Sequence, residues 1–138
     1  TTPVTIDVDG VTVGLTTCYD LRFPGLFQAL GDRGASVVVV AASWGAGPAK
    51  RRQWDLLVRA RALDSTCFVA ACDQGDPTSI GLEAGRAPTG IGASAVAGPL
   101  GELVRQLGQK PGLLLADLDL QEIRTARTQV PVLTNRRW

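Results

Sequence analysis

The sequence predicts an α/β fold built on one mixed β-sheet, with two main helices on one face of the sheet and the other face in need of a partner. Strand and helix patterns alternate in the middle of the chain, and hairpin patterns stand at both ends. The inner strands are continuous apolar runs, typical of strands that are buried on both faces. Right-handed crossovers that keep moving in one direction place both helices on the same face. Cover for the other face must then come from a second copy or from further polypeptide.

The first elements are predicted to be a β-hairpin and a helix. Val4–Val8 alternates apolar and polar residues, an Asp-Gly turn dipeptide follows, and Val11–Thr17 continues as the second strand. Residues 23–33 have the apolar spacing of a helix. Pro24 suits the first turn of that helix, and Gly34 stands just past its end.

The middle of the chain is predicted to hold two buried strands and the longest helix between them. Residues 35–42 contain four consecutive valines, which favours a buried parallel strand. Residues 48–65 form the helix pattern, in which Asp55 and Arg59 have the spacing of an ion pair. Residues 66–72 are the next strand.

The last part of the chain is predicted to begin with a long surface loop over residues 73–90. Three further strands are predicted over residues 91–97, 102–107 and 112–118. A short helix is expected over residues 120–128, followed by an extended tail from residue 130. The Arg-Arg-Trp end at 136–138 is expected to pack on a neighbour or to lie in solvent.

Composition excludes several classes of function. A net charge of +1 implies neither a nucleic acid nor a membrane surface as partner. The chain has no histidine, so it contains no Cys-His dyad and none of the usual zinc patterns; no metal or cofactor is predicted. No apolar run reaches the ~20 residues that span a bilayer. Three cysteines without a C-x-x-C pair favour a reducing, cytoplasmic compartment, and Cys67 and Cys72 are expected to be small buried hydrophobes.

Cys18 is the main candidate for chemistry. It stands where the second strand ends and the first helical segment begins. The positive backbone potential at such a position favours the thiolate, which is the reactive form. Strand ends are also where open α/β sheets bind ligands. On position alone, a nucleophile and a buried strand-end thiol are equally good interpretations.

An ordered set of motifs runs along nearly the whole chain. The first is Cys-Tyr-Asp-Leu-Arg-Phe-Pro at 18–24. The others are Ala-Ala-Ser-Trp at 41–44, Gly-Pro at 47–48 with Gln-Trp at 53–54, Arg-Ala-Arg-Ala-Leu-Asp at 59–64, Gly-Ala-Ser at 92–94 with Gly-Pro-Leu-Gly-Glu at 98–102, Asp-Leu-Asp at 117–119, and Val-Pro-Val at 130–132 with Arg-Arg at 136–137. This set resembles the carbon-nitrogen hydrolase (nitrilase-like) superfamily, and its amidase branch rather than true nitrilases.

The resemblance implies an αββα sandwich of two sheets and a cysteine amidase. Family enzymes use a cysteine nucleophile, a glutamate base and a lysine that helps to stabilise the oxyanion, often with a second glutamate nearby. Those partners precede the nucleophile by more residues than precede Cys18 here, so residues 1–138 are expected to be the C-terminal half of such a domain. Cys18 is then the nucleophile that forms a thioester with a small linear amide. The backbone N–H of Tyr19 is the local oxyanion donor.

The predicted substrate-binding residues are Ser43, Trp44, Gln53 and Trp54. Ser43 and Trp44 follow the strand next to the one that carries Cys18, which places them at the pocket wall. For Trp44 a place in the core is an equally good interpretation, and for Trp54 core packing is the default. Gln53 would reach the pocket rim. It stands where many members of the amidase branch have histidine, and Gly25 stands where the family often has glutamate.

Structural roles near the site are expected for Asp20 and Arg22. Asp20 would cap the first helix or orient the turn that carries Cys18. Arg22 would be a buried ion-pair partner, with a substrate clamp as the alternative. Arg59 and Arg61, on an otherwise apolar helix, would form salt bridges rather than act in catalysis.

Three functions compete at this stage. The first is an amidase whose N-terminal half, or a second copy, completes the site across the open sheet face; the isolated chain is then expected to be inactive and to associate, as a homo-oligomer, through that face. The second is a catalytically incomplete fragment or assembly module. The third is a redox-sensing thiol protein, which requires a resolving cysteine close to Cys18.

Overall fold

The computed structural model describes residues 2–137, in which six strands form one mixed sheet. In sheet order, which is also chain order, the strands are β1 (Val4–Val8), β2 (Val11–Thr17), β3 (Val37–Ala42), β4 (Phe68–Asp73), β5 (Ala95–Ala97) and β6 (Leu103–Gln106). β2, β3 and β4 are parallel, and the outer strands pair antiparallel. The chain thus moves in one direction across the sheet. The predicted mixed sheet is confirmed.

The N-terminal hairpin has the turn that its Asp-Gly sequence predicts. Asp9 and Gly10 have φ values of +50° and +80°, as a two-residue hairpin turn with both central residues left-handed requires. After β2, a short 3₁₀ turn at Cys18–Arg22 (the Cys18 turn) leads to helix α1 at Pro24–Asp32. Pro24 stands in the first turn of α1 because its missing N–H costs nothing there.

Helices α1 and α2 (Lys50–Ser65) pack against each other, as both crossovers on one face require. We call the side of the sheet under these helices the covered face. Its core comprises Phe27 and Leu30 of α1, Val38 and Val40 of β3, Trp54, Val58 and Ala62 of α2, and Val69 and Ala71 of β4. The helical layer lies close to the sheet: a side chain at Gly14 of β2 would meet Leu30 at 3.0 Å.

The opposite side of the sheet, which we call the open face, exposes apolar side chains. Val4, Ile6 and Val8 of β1 are 54%, 45% and 48% exposed. The residues of β2 directly opposite them lie on the same face, and one of these, Leu15, is also exposed. Further along, the segment after β6 lies over this face, where its leucines help to line a cavity of about 270 Å³ above Val39 of β3. The described chain therefore leaves much of this apolar face uncovered.

Three elements of the C-terminal part differ from the prediction. The strand predicted over residues 91–97 is confined to β5 at Ala95–Ala97. Residues 112–118 form no strand, and Leu113 and Leu115 are largely exposed. An apolar run becomes a strand only where a neighbouring backbone offers hydrogen bonds, and within residues 2–137 this segment has no such ladder. The tail is not wholly extended, because a short helix α4 (Val132–Asn135) places Leu133 beside Gly31 of α1. Trp138 lies outside the described residues.

The remaining helix, α3 (Gln121–Gln129), agrees closely with its predicted range. Its apolar side is buried through Ile123 and Ala126. Arg127 at its end donates to the carbonyl of Ala35, just before β3. No helix within residues 2–137 is long and apolar enough to cross a membrane.

Candidate active site

Cys18 occupies an unusual backbone position at the carboxyl end of β2. Its φ is +42°, in the left-handed region that residues with a side chain rarely adopt. The residue is half-buried, and its Sγ lies 3.9 Å from the carbonyl oxygen of Ser43. Ser43 follows the neighbouring parallel strand β3, so the parallel sheet brings the two residues together. The thiol therefore lies at the edge where this fold presents ligand sites.

Asp20 stabilises the Cys18 turn from within. Its carboxylate accepts a hydrogen bond from the backbone N–H of Thr17 at 2.9 Å. Its carbonyl accepts another from the N–H of Phe23, also at 2.9 Å. One of the carboxylate oxygens is thereby committed to the end of the strand. This geometry suits the orienting role better than that of a general base.

Arg61 connects the same turn to helix α2. Its Nε donates to the carbonyl of Leu21 at 2.8 Å, and its terminal nitrogen pairs with Asp64. Leu21 is fully buried, and Arg61 itself is only 8% exposed. A salt bridge was expected for Arg61, but the contact with the turn is a finding of the structure. An arginine on the apolar side of a helix was the only sign of it in the sequence.

The predicted ion pair between Asp55 and Arg59 is wrong. Arg59 instead donates from Nε to the carbonyl of Gly101 at 2.7 Å. Asp55 pairs with Arg51 and accepts a hydrogen bond from Gln106. Arg51 lies on α2 at the same i,i+4 spacing. The β5–β6 hairpin supplies Gly101 and Gln106, and helix spacing alone carries no information about these two.

Arg22 forms no ion pair among the described residues, so the predicted buried ion pair is wrong. Its guanidinium carbon lies 5.0 Å from the ring centre of Trp44 and 5.4 Å from that of Tyr19. One terminal nitrogen donates to Oε1 of Gln53 at 2.9 Å. A guanidinium is planar and weakly hydrated, and it stacks on aromatic faces without a carboxylate partner.

Asp73 is a buried carboxylate that is not among the predicted site residues. It ends β4, and its two oxygens accept from the backbone N–H groups of Trp44 at 2.6 Å and Ile91 at 2.8 Å. Burial raises the pKa of Asp73, while the hydrogen bonds from backbone N–H groups oppose that rise. This side chain fixes the loop after β3, and with it the Ser43 carbonyl beside Cys18. The available signal was an acid at the end of an apolar strand.

The two tryptophans of the predicted substrate set lie in the core. Trp54 is fully buried and Trp44 almost so, with ring centres 5.4 Å apart. Trp54 donates to the carbonyl of Ala93, and Trp44 donates to that of Lys50. Each ring is thus held in place by packing and by the hydrogen bond that its N–H donates. In this structure, core packing accounts for both.

Ser43 and Gln53, the other two members of that set, are half-buried and near the Cys18 turn. The Ser43 hydroxyl donates to the carbonyl of Pro88 at 2.8 Å, which fastens the long loop before β5 to this edge of the sheet. Gln53 is held by Arg22. These two side chains remain candidates for the wall of a pocket.

The two other cysteines differ from each other. Cys67 is fully buried, and burial raises the pKa of its thiol. Cys72 is exposed, so the expectation of two buried thiols is wrong for it. Cys72 stands in register with Ala41 on the open face, whereas Cys67 belongs to the core of the covered face.

The described residues supply a candidate nucleophile without its acid-base partners. The one hydrogen bond of the Cys18 thiol within residues 2–137 goes to a carbonyl, which takes up no proton. No group of three or more cysteine, aspartate or glutamate side chains in this range is arranged to hold a metal ion. What this edge of the sheet offers is a thiol on a strained turn, backbone N–H groups and a carbonyl.

Sequence comparisons connect this arrangement to known proteins. A family model described as carbon-nitrogen hydrolase matches residues 1–128. A hydrolase of Mycobacterium tuberculosis H37Rv is 53% identical over 137 residues, covering 96% of this chain and 49% of the relative. The deaminated glutathione amidase of Escherichia coli O157:H7 is 40% identical over 134 residues, covering 96% and 47%.

Solved structures of a nitrilase-superfamily protein and of an amidase are also similar to this chain. Nit3 of Saccharomyces cerevisiae, a member of branch 10 of the nitrilase superfamily, has a TM-score of 0.83 at 28% identity and covers 98% of this chain and 47% of its own. An amidase of Nesterenkonia sp. AN1 has a TM-score of 0.76 at 28% identity, covering 99% and 45%. The chain therefore spans about half the length of these relatives.

Proposed function

The chain belongs to the carbon-nitrogen hydrolase family, and on this premise we propose that it carries the nucleophile of an enzyme that hydrolyses the carbon–nitrogen bond of a small linear amide. The observation that carries the proposal is the backbone geometry and position of Cys18. It combines a left-handed φ, the carboxyl end of a central strand and the start of a 3₁₀ turn. A strained conformation at a strand end is where folds of this type place reacting groups.

The proposed reaction proceeds through a thioester. The thiol of Cys18 loses its proton to a base, and Sγ bonds to the carbonyl carbon of the amide. The carbon–nitrogen bond then breaks, and the nitrogen takes a proton and leaves as ammonia. Water attacks the thioester, giving a carboxylic acid and the free thiol. The backbone N–H of Tyr19 donates to the oxyanion that forms in each half of the reaction.

The base and a lysine for the oxyanion are proposed to come from polypeptide outside this chain. The thiol has no titratable partner among the described residues. The chain covers only about half of its relatives, and its open face has the apolar surface that a second sheet would cover. We propose the N-terminal half of the domain as the occupant of that face, with a second copy of this chain as the alternative.

The relatives indicate the general class of substrate. Several of them are named deaminated glutathione amidase. A variant of the Nesterenkonia amidase is described with the acetamide moiety of fluoroacetamide bound covalently to its active-site cysteine. Both favour an amide carbonyl as the reacting group. Ser43 and Gln53 are the side chains of this chain that we propose for the pocket wall.

The test is a complementation assay. The chain is produced alone and together with the N-terminal half of the M. tuberculosis relative, and ammonia release is followed over a panel of small linear amides that includes deaminated glutathione. We expect no release from the chain alone, and release from the mixture that Cys18→Ala abolishes. Leu56→Ala is the control, since it truncates an exposed side chain of α2, on the helical side and away from the open face, and should leave the rate unchanged.

Two results would count against the proposal. Ammonia release that survives Cys18→Ala would place the nucleophile elsewhere. Release by the chain alone would show that no second half is needed. If the mixture forms a stable complex and hydrolyses no amide in the panel, the alternative of a catalytically incomplete fragment or assembly module is favoured.

A further inference from the structure

Two arginines of helix α2 make the same kind of bond to different loops. Arg61 donates from Nε to the carbonyl of Leu21, in the Cys18 turn, at 2.8 Å. Arg59 donates from Nε to the carbonyl of Gly101, in the turn of the β5–β6 hairpin, at 2.7 Å. The two residues thus share their helix, their charge and their type of acceptor. They differ in which loop they hold.

The Cys18 turn needs support from outside because its backbone is strained. A non-glycine residue with φ of +42° persists only where the surrounding structure overdetermines it. The two bonds of Asp20 to Thr17 and Phe23 are local, and they move with the turn. Among the described residues, Arg61 is the side chain from another element that bonds the backbone of this turn.

The Arg61 side chain is also buried, and its guanidinium makes two contacts, with the Leu21 carbonyl and with Asp64. Arg61 is 8% exposed and Leu21 is fully buried, so water does not compete for the carbonyl. The same guanidinium pairs with Asp64 one turn along α2, which fixes its plane. A lysine in this place keeps the charge but loses the fork that reaches both acceptors.

We propose that Arg61 is a positioning residue for the thiol of Cys18. It anchors the Cys18 turn to α2 and so maintains the left-handed backbone at Cys18 and the direction of its thiol toward the Ser43 carbonyl. This inference rests on the proposed function for its biological meaning, since a positioned thiol matters where that thiol reacts. Arg61 itself touches no reacting atom in it.

The experiment measures thiol reactivity, which requires neither a substrate nor a second half of the domain. The folded chain is treated with iodoacetamide over a pH series, and the alkylation rate of each cysteine is followed by peptide mass spectrometry. Arg61→Lys and Arg61→Gln are compared with the matched controls Arg59→Lys and Arg59→Gln. Cys72, exposed on the sheet, reports reagent and accessibility within the same sample.

We expect the two Arg61 variants to lower the alkylation rate at Cys18 near neutral pH by roughly tenfold, because a turn released from α2 no longer holds the strained backbone at Cys18 and no longer presents the thiol in one direction. The Arg59 variants should leave the Cys18 profile unchanged. Cys72 should react at the same rate in all five proteins.

The inference is overturned if Arg61→Lys and Arg59→Lys give the same Cys18 profile. It is also overturned if both Arg61 variants unfold, as judged by the emission of the buried tryptophans, while the Arg59 variants fold; Arg61 would then be needed by the whole fold and not by the turn. A chain that passes this test and still hydrolyses no amide in the complemented assay would refute the proposed function and leave the positioning role of Arg61 intact.

Discussion

The two faces of the sheet have nearly the same hydrophobicity and opposite surroundings. On β3, Val38 and Val40 point to the covered face and are fully buried, whereas Val39 between them points to the open face and is partly exposed. A sheet with one solvated face alternates apolar and polar residues, and four consecutive valines do not. Both faces are thus composed for burial, and residues 2–137 bury one of them fully and the other only in part.

The charged and polar groups follow the same division. The covered side holds buried ionisable groups with assigned partners, notably Arg61 and Asp73, and both act on loops beside Cys18. On the open face, β1 presents Val4, Ile6 and Val8 instead. The helical side therefore orders the candidate site, and the open side presents an apolar surface, which we propose that the N-terminal half of the domain covers.

The largest expected difference between the faces is in thiol labelling. Cys67 belongs to the covered core and Cys72 lies on the open face, five residues along the same run. In the native chain, Cys67 should react with a small maleimide on the order of a thousandfold more slowly than Cys72, because it requires opening of the core. Mass spectrometry of labelled peptides measures both rates in one sample.

Labelling of the complemented protein sharpens the comparison. If the N-terminal half covers the open face, the rate at Cys72 should fall toward that at Cys67. A Cys72 that stays fully reactive in a stable complex would mean that the partner binds elsewhere. Equal rates for the two thiols in the chain alone would show that the covered core is not formed without its partner.

A smaller effect is expected from truncating adjacent valines. Val38→Ala and Val39→Ala remove the same atoms from neighbouring residues on opposite faces. Val38→Ala should lower the free energy of unfolding by about 2 kcal/mol, from lost transfer energy and a residual cavity. Val39→Ala should cost well under half of that in the chain alone, and more once the open face is covered. Urea unfolding of the two variants measures the difference, and equal losses would contradict the assignment of faces.

Most of the fold could be predicted from local pattern. The hairpin turn at Asp9, the start of α1 at Pro24 and the place of both helices on one face depend on neighbours in sequence or on the handedness of crossovers, and these predictions are confirmed. The strand predicted over residues 112–118 is wrong, because its formation does not depend on local sequence alone. A strand depends on a partner backbone, and the apolar run of this segment does not reveal whether one is present.

The candidate site was predictable as far as its motif extends. Cys18 and Asp20 lie within one short segment, and the structure gives both of them ordered positions. Arg61 of α2 contacts this segment only through the fold, and Asp73, at the end of β4, contacts the neighbouring loop after β3 in the same way. Their contacts join residues tens of positions apart, so no spacing rule points to them. Cys72 was assigned to the core because an apolar run does not show which face will remain open.

The smallest expected effect is the pH dependence of stability that Asp73 contributes. Burial raises the pKa of this carboxyl in the folded chain above its usual value of 3.8. The folded state then binds more protons than the unfolded state between that value and the raised one. By linkage, the stability that the protonated form provides is complete below about pH 3.8 and is lost as the pH rises through the folded-state pKa. An exposed carboxylate on the open face would bear no such burial cost.

Urea unfolding over a pH series, for the chain and for Asp73→Asn, isolates this contribution. The amide cannot ionise, so the stability difference between the two proteins should shift in favour of the variant as the pH rises through that window and should be constant above it. Asp117→Asn, which removes an exposed carboxylate, corrects for the change in net charge. A difference that runs the other way would mean that the bonds from Trp44 and Ile91 outweigh burial. Asp73 would then stabilise the loop beside Cys18 as an anion, and the covered side would order the site through favourable charge rather than at a cost in stability.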